Sequence, residues 1–233
     1  MASEVCADDV IARLRSMANP GNREGMARYG ITVDRAFGVS MPELRALAKE
    51  LDKDHELALA LWDTGYHEAK ILAGLIDDPR QVSEKQMDTW AAGFDSWDVC
   101  DQCCSNLFDK TQFAYGKALA WTRDEREFVR RAGYVMMATL AVHDKKAPDT
   151  VFELFLPFII KGSMDERNFV KKAVNWALRQ IGKRNADLNV KAIATAKQMQ
   201  ALDSKSARWI AADALKELQS PAVRKKVSKP KKK

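Results

Sequence analysis

Glycine is scarce in this chain, 11 residues in 233, and runs that alternate polar with apolar residues are almost absent. The two shortages together argue against a sheet architecture and its tight turns. Histidine is scarcer still, three residues with no paired spacing. The four cysteines include one C-x-x-C, Cys100 and Cys103. A structural zinc needs four ligands, and only adjacent Cys104, remote Cys6 and the scattered histidines remain to supply them. No metal centre is therefore expected, and the thiols are read as small, reduced side chains packed between helices. The opening "MASEVCADDVIARLRS" carries acids early and no apolar run of signal-peptide length, and nothing later approaches a bilayer span. A cytoplasmic protein without membrane contact is expected. No nucleotide-cofactor motif and no evident Schiff-base lysine stand out, so no cofactor is expected either.

The formal net charge of +6 changes meaning once it is divided along the chain. Residues 1–100 hold 11 Lys+Arg against 18 Asp+Glu, net −7; residues 101–223 hold 20 against 14, net +6; the closing "RKKVSKPKKK" adds +7. Such a tail, residues 224–233, is expected to be disordered and to hold any polyanion loosely. The positive second half of the folded body says more, because a fixed basic face can position a phosphate backbone.

Apolar residues, 46% of the chain, recur at three- and four-residue spacing from end to end, which predicts an all-α protein. Helix starts are predicted at three capping boxes: Ser40 with Glu43, Ser83 with Gln86, and Asp124 with Glu127. Short breaks such as "NPGN", "DTG", "APD" and "KGSMD" separate about a dozen helices. Two of these are copies: "EREFVRRAG" (125–133) matches "ERNFVKKAV" (166–174) at an offset of 41 residues. A helical period near 40 marks HEAT-like or armadillo-like repeats. Weaker echoes at "HEAKILAGLI" (67–76) and "SARWIAADAL" (206–215) extend the array. A single domain over residues 1–223 is expected, an all-α HEAT/armadillo-like solenoid with a concave basic face. The doublets Arg130–Arg131 and Lys171–Lys172 occupy equivalent places, so some of them are expected in a basic stripe; the plainer reading is that they solvate their helices.

The stretch "DSWDVCDQCCS" (95–105) concentrates the chemistry. With Asp95 or Ser96 as cap, Asp98 falls in the first turn, where the helix dipole favours a carboxylate. Asp101 has no such explanation. It lies in the second turn, and the i,i+4 relation stacks it against Trp97 on one face. Val99, Cys100, Cys103 and Leu107 follow the opposite, core-facing stripe. In the later duplicated helix, Trp176 follows the doublet Lys171–Lys172 at the place where the first copy has Val135. A helical Trp is usually core, yet a change from Val to Trp beside a basic stripe singles the position out.

With Trp97, Asp101, an arginine of "FVRRA" and the Trp of "FVKKAVNWALR" in this order, the chain resembles the bacterial alkylpurine DNA glycosylases of the HEAT-like-repeat (AlkD) type. The resemblance spans most of residues 20–220, including "MARYG", "SMPELRAL", "LWD" and "SWDVCD". It implies that Asp101 is the catalytic carboxylate, that Trp97 and Trp176 flank the damaged nucleotide, and that Arg131 supports the DNA backbone nearby. Tyr29 would border the same cleft, with Arg130, Lys171, Lys172 and Arg45 of "SMPELRAL" on DNA. Ser96 departs from the family pattern, in which a bulkier, often aromatic residue precedes the Trp. The implied reaction is excision of N3- or N7-alkylated purines from double-stranded DNA by a nucleoid-associated monomer. The alternative is a non-catalytic module for branched or damaged DNA, and on fold grounds alone a protein-binding scaffold.

The chemistry fits that implication. An alkylated purine already carries positive charge and leaves without a general acid. One carboxylate then suffices to stabilise the oxocarbenium-like sugar and orient water, and indole faces attract the cation.

Overall fold

The structure, a computed structural model, describes residues 5–228. Fifteen α-helices and two 3-10 turns, with no strand, make up the regular structure of those residues, of which 72% are helical. The chain divides into two compact units, Met1–Gln112 and Phe113–Lys233, where the sequence pattern suggested one continuous array. The boundary lies close to the change in charge. The first unit has 12 Lys+Arg against 20 Asp+Glu and the second 26 against 12. No described helix is long and apolar enough to cross a membrane.

The first unit comprises α1 (Ala7–Ser16), α2 (Pro20–Arg28), α3 (Met41–Leu51), α4 (His55–Asp63), α5 (His67–Ile76), α6 (Glu84–Ala92) and α7 (Trp97–Asn106). Its centre is α5, which packs against α3, α4 and α7 and is buried from His67 to Gly74 and again at Ile76. Polar groups survive there because each has a partner. The Glu68 carboxylate, 1% exposed, accepts the backbone N–H groups of Phe37 at 2.9 Å, Gly38 at 2.6 Å and Val39 at 3.2 Å. Gly38 makes this convergence possible with φ of +82°, and a Cβ there would strike the Asn19 carbonyl. Where α5 meets α7, a Cβ at Gly74 would lie 3.2 Å from Cys103 Sγ. Small thiols therefore let the two backbones approach. Cys100, Cys103 and Cys104 are fully buried, as are Val99 and Leu107, so the stripe faces the core as its spacing predicts. Beside it Trp62 stacks on Trp90 at 4.3 Å with 4° between planes.

The second unit holds α8 (Ala114–Ala120), α9 (Glu127–His143), α10 (Asp149–Glu153), α11 (Leu156–Gly162), α12 (Asn168–Gly182), α13 (Ala186–Gln200), α14 (Lys205–Leu218) and α15 (Pro221–Val227). Of the expected disordered tail, Arg224–Val227 complete α15, and residues 229–233 lie outside the described residues. The duplicated segments become α9 and α12, packed against each other with Phe128 and Phe169 rings 5.5 Å apart.

Their starts differ from the predicted capping box. Arg126 and Arg167, not an acid, occupy the N-cap positions. Asp124 accepts from the Arg126 backbone N–H and Nε, both at 2.9 Å, and from Nη2 at 2.7 Å. Asp165 grips Arg167 in the same way, at 3.0, 2.9 and 2.6 Å. The planar fork of the guanidinium matches a carboxylate better than the Glu127 side chain can match a lone backbone N–H, so an Asp-x-Arg clamp replaces the box. The first unit repeats the device at Asp78 and Arg80, with Nη2 at 2.7 Å. The Ser40–Glu43 box forms as predicted, with Ser40 N donating to Glu43 at 2.9 Å. Ser83 accepts from Gln86 N at 3.1 Å, but the Gln86 amide turns instead to Asp77 at 2.6 Å.

The tight α5–α7 contact leads to a test. Cys103→Leu adds volume opposite Gly74 and is expected to lower unfolding free energy by about 1–3 kcal/mol, whereas a Val190→Leu change at an exposed position of α13 should stay within about 0.5 kcal/mol; urea unfolding of both variants measures the difference.

Candidate functional site

α7 begins at Trp97 with Ser96 as N-cap. Ser96 is fully buried and its hydroxyl donates to Asp98 Oδ1 at 2.8 Å rather than serving the helix backbone. A bulkier side chain before Trp97 would have to displace its buried neighbours here. Asp98 receives a second bond from α5, His67 Nε2 to Oδ2 at 2.9 Å. Sequence reasoning gave Asp98 only the helix dipole and missed His67. The available signal was a histidine opening a helix whose later positions, Ile71 to Ile76, are all apolar or glycine.

The two groups shift in complementary directions. Burial by itself would lower the His67 pKa, but the hydrogen bond and charge of Asp98 outweigh it and raise the imidazole above its ordinary value. Burial by itself would raise Asp98, and the His67 and Ser96 bonds instead hold its carboxyl below the usual range. The pair is therefore an ion pair across the interval between the two titrations.

Next to this pair, Trp97 is half-buried. Its indole N–H donates to the carbonyl of Tyr29 at 3.0 Å. Tyr29 ends α2 and is 74% exposed. Trp97, Tyr29, Met26, Ile31, His67 and Asp98 share a cavity of about 520 Å³. Asp101, also half-buried, lies one turn farther along α7, and its carbonyl accepts from the Ser105 hydroxyl at 2.7 Å. Arg45 is exposed on α3 and borders a different, smaller hollow with Lys49 and Asp52, so it is not brought to the Trp97 cavity.

In the second unit the two basic doublets diverge. Arg131 is 5% exposed and its Nη1 donates to the Phe169 carbonyl at 2.6 Å, which ties α9 to α12. Its counterpart Lys172 is exposed. Arg130 donates to the Asp124 carbonyl at 2.7 Å and to Asp165 at 2.9 Å. Lys171 Nζ sits 5.1 Å from the centroid of the exposed Trp209 ring. Trp176 is half-buried, four residues after Lys172, so an indole and an ammonium share one strip of α12. No group of three or more His, Cys, Asp or Glu side chains is arranged to hold a metal among the described residues.

The family model described as DNA alkylation repair enzyme matches residues 10–218. The chain belongs to this family. Among relatives of similar length, the uncharacterized protein Lin0241 of Listeria innocua is 22% identical over 197 residues, 82% of this chain and 85% of that one. The uncharacterized protein Lmo0209 of Listeria monocytogenes is 21% identical over the same shares. A solved structure from a family related to the HEAT-like repeat DNA glycosylases, with affinity for branched DNA structures, aligns at a TM-score of 0.79 with 20% identity over 96% of each chain. This likeness shows the fold, an all-α HEAT-like helical repeat.

The His67–Asp98 bond sets an expected pH response. His67 should titrate above 6.5 and fall back towards that ordinary value in Asp98→Asn, as followed by imidazole NMR shifts. A raised imidazole pKa stabilises the fold below its unfolded value and loses that contribution as pH rises through the folded one. A lowered carboxyl pKa stabilises above its unfolded value and loses that contribution as pH falls through the folded one. The stability gap between the wild type and Asp98→Asn, about 1–3 kcal/mol, should therefore narrow at both edges of the window between these titrations.

Proposed function

We propose that this member of the DNA alkylation repair family is a monofunctional DNA glycosylase, hydrolysing the N-glycosidic bond of cationic N3- or N7-alkylated purines in double-stranded DNA. The observation that carries the reading is the placement of Trp97 and Asp101 four residues apart on the half-buried face of α7, with the indole fixed by its bond to Tyr29. The C1′–N bond breaks with its electron pair going to the positively charged base, which leaves neutral. Positive charge then develops on the sugar. The Asp101 carboxylate stabilises it and orients a water, whose oxygen bonds to C1′ while its proton passes to the carboxylate or to solvent. The product is an abasic site. Trp97 lays a π face against the cationic nucleotide, worth about 0.5–2 kcal/mol according to how fully water is excluded.

In this reading Lys172 and Trp176 contact the DNA strand from α12, Tyr29, Arg45, Arg130 and Lys171 add backbone contacts, and Arg131 chiefly braces the helices that present them. The protein acts as a monomer without metal or cofactor, choosing lesions by charge and lability more than by base shape.

A second reading, a non-catalytic module for branched or damaged DNA, is favoured by the solved relative with affinity for branched DNA structures and by the burial of Arg131. Base release from a duplex carrying one 7-methylguanine, with a hypoxanthine duplex as control, separates the two. Asp101→Asn is expected to reduce single-turnover release on the order of a hundredfold or more, with duplex affinity at fixed salt changed less than about threefold. Undiminished release in that variant removes the mechanism. No release by the wild type, with salt-dependent binding of a branched DNA, supports the second reading instead.

A further inference from the structure

The second unit contains a larger cavity, about 750 Å³, lined by Arg123, Arg130, Lys161 and Arg167 around Phe158 and Asp165. None of Trp97, Asp101 and Trp176 lines it. Four cations there face one carboxylate. Burial favours the neutral form of Asp165, but bonds from Arg167 and Arg130 hold its pKa below the ordinary range. It therefore stays ionised and is fully engaged with those two arginines. Arg123 and Lys161 are exposed at the rim. Cations gathered around a cavity without enough counter-charge create a potential that draws an anion.

The donors are also arranged in advance. Arg130 Nε is fixed to the Asp124 carbonyl at 2.7 Å and Arg167 Nη1 to the Glu125 carbonyl at 2.7 Å. Each guanidinium is thereby held in one orientation with further N–H groups to spare, the fork geometry that suits a phosphate. A bare phosphate, however, would use only part of the cavity. The guanidinium of Arg123 lies 5.6 Å from the centroid of the half-buried Phe158 ring, with Pro157 and the 52% exposed Met164 adjoining. Cations together with an apolar, aromatic wall fit a ligand that has both a phosphate and a planar ring. The volume is in the usual range for small-molecule sites.

We infer that this cavity is a nucleotide-binding site, taking a phosphomonoester among Arg123, Lys161 and the spare N–H groups of Arg130 and Arg167, and the attached base against Phe158 and Met164. The inference does not rest on the glycosylase reading. A free nucleotide and the phosphorylated end of a DNA strand offer the same chemistry.

Isothermal titration of the full chain at fixed salt tests it with deoxyadenosine monophosphate, deoxyadenosine, inorganic phosphate, and a trinucleotide with and without a 5′-phosphate. The monophosphate is expected to bind about tenfold or more tightly than either phosphate or deoxyadenosine alone, and Arg123→Glu with Lys161→Glu to weaken it by about tenfold or more. Phe158→Leu should lower the monophosphate affinity a few-fold, roughly the loss of one stacking contact, and leave phosphate binding unchanged. Tighter binding of the phosphorylated trinucleotide than of the monophosphate supports a strand end as ligand, and the opposite order supports the free nucleotide. Equal affinity for phosphate and monophosphate, no binding of either, or a charge-reversed protein that melts normally and binds as well as the wild type overturns the proposal. Should charge reversal prevent folding, Arg123→Gln with Lys161→Gln serves the same comparison.

Discussion

The placement of α7 depends on three residues of a single buried helix. Along α5, His67 bonds Asp98, Lys70 bonds Asp95 and the Gly93 carbonyl, and Gly74 leaves space for Cys103. The spacing of three and four residues puts all three on one face. Two charged contacts at the front of α7 and one close backbone approach behind them fix both its axial position and its rotation. Rotation is what turns Trp97 and Asp101 away from the core while the cysteines turn into it. Buried ionic groups are costly when alone, so this arrangement holds only because each has its partner within hydrogen-bond distance.

Glu68 extends the same logic to the neighbouring loop. By gathering the amides of residues 37–39 it shapes the segment that leads into α3, and with it one wall of the cavity that Trp97 and Tyr29 share. A carboxylate thus does the work that a bound anion's site would do in reverse, with the protein supplying its own anion to a nest of N–H groups.

In the second unit the recurring element is the Asp-x-Arg clamp. At Asp124 and Asp165 it opens two successive long helices in the same way, and Asp165 additionally receives Arg130 from the preceding copy, so the clamp joins repeats as well as starting them. This is why the first arginine of the doublet is drawn towards a carboxylate and the second, Arg131, towards a carbonyl of α12. Neither destination follows from the doublet as a pattern, since two adjacent bases on a helix point about 100° apart. The cation-lined cavity beside α11 was invisible for a related reason. Arg123, Lys161 and Arg167 are spread over more than forty residues and converge only through packing.

Helix, its periods, the buried cysteine stripe, the repeat offset and the family resemblance were all legible from the chain, because each is a relation between residues close together or at a fixed spacing. Spacing alone also singled out Trp97 and Asp101 as partners on one face. The His67–Asp98 pair, the burial of Arg131, the separation of Arg45 from the Trp97 cavity and the division into two units were decided by tertiary structure. They depend on which helix lies against which, and hydrogen bonds between elements 30 or more residues apart leave no periodic trace in the sequence that makes them.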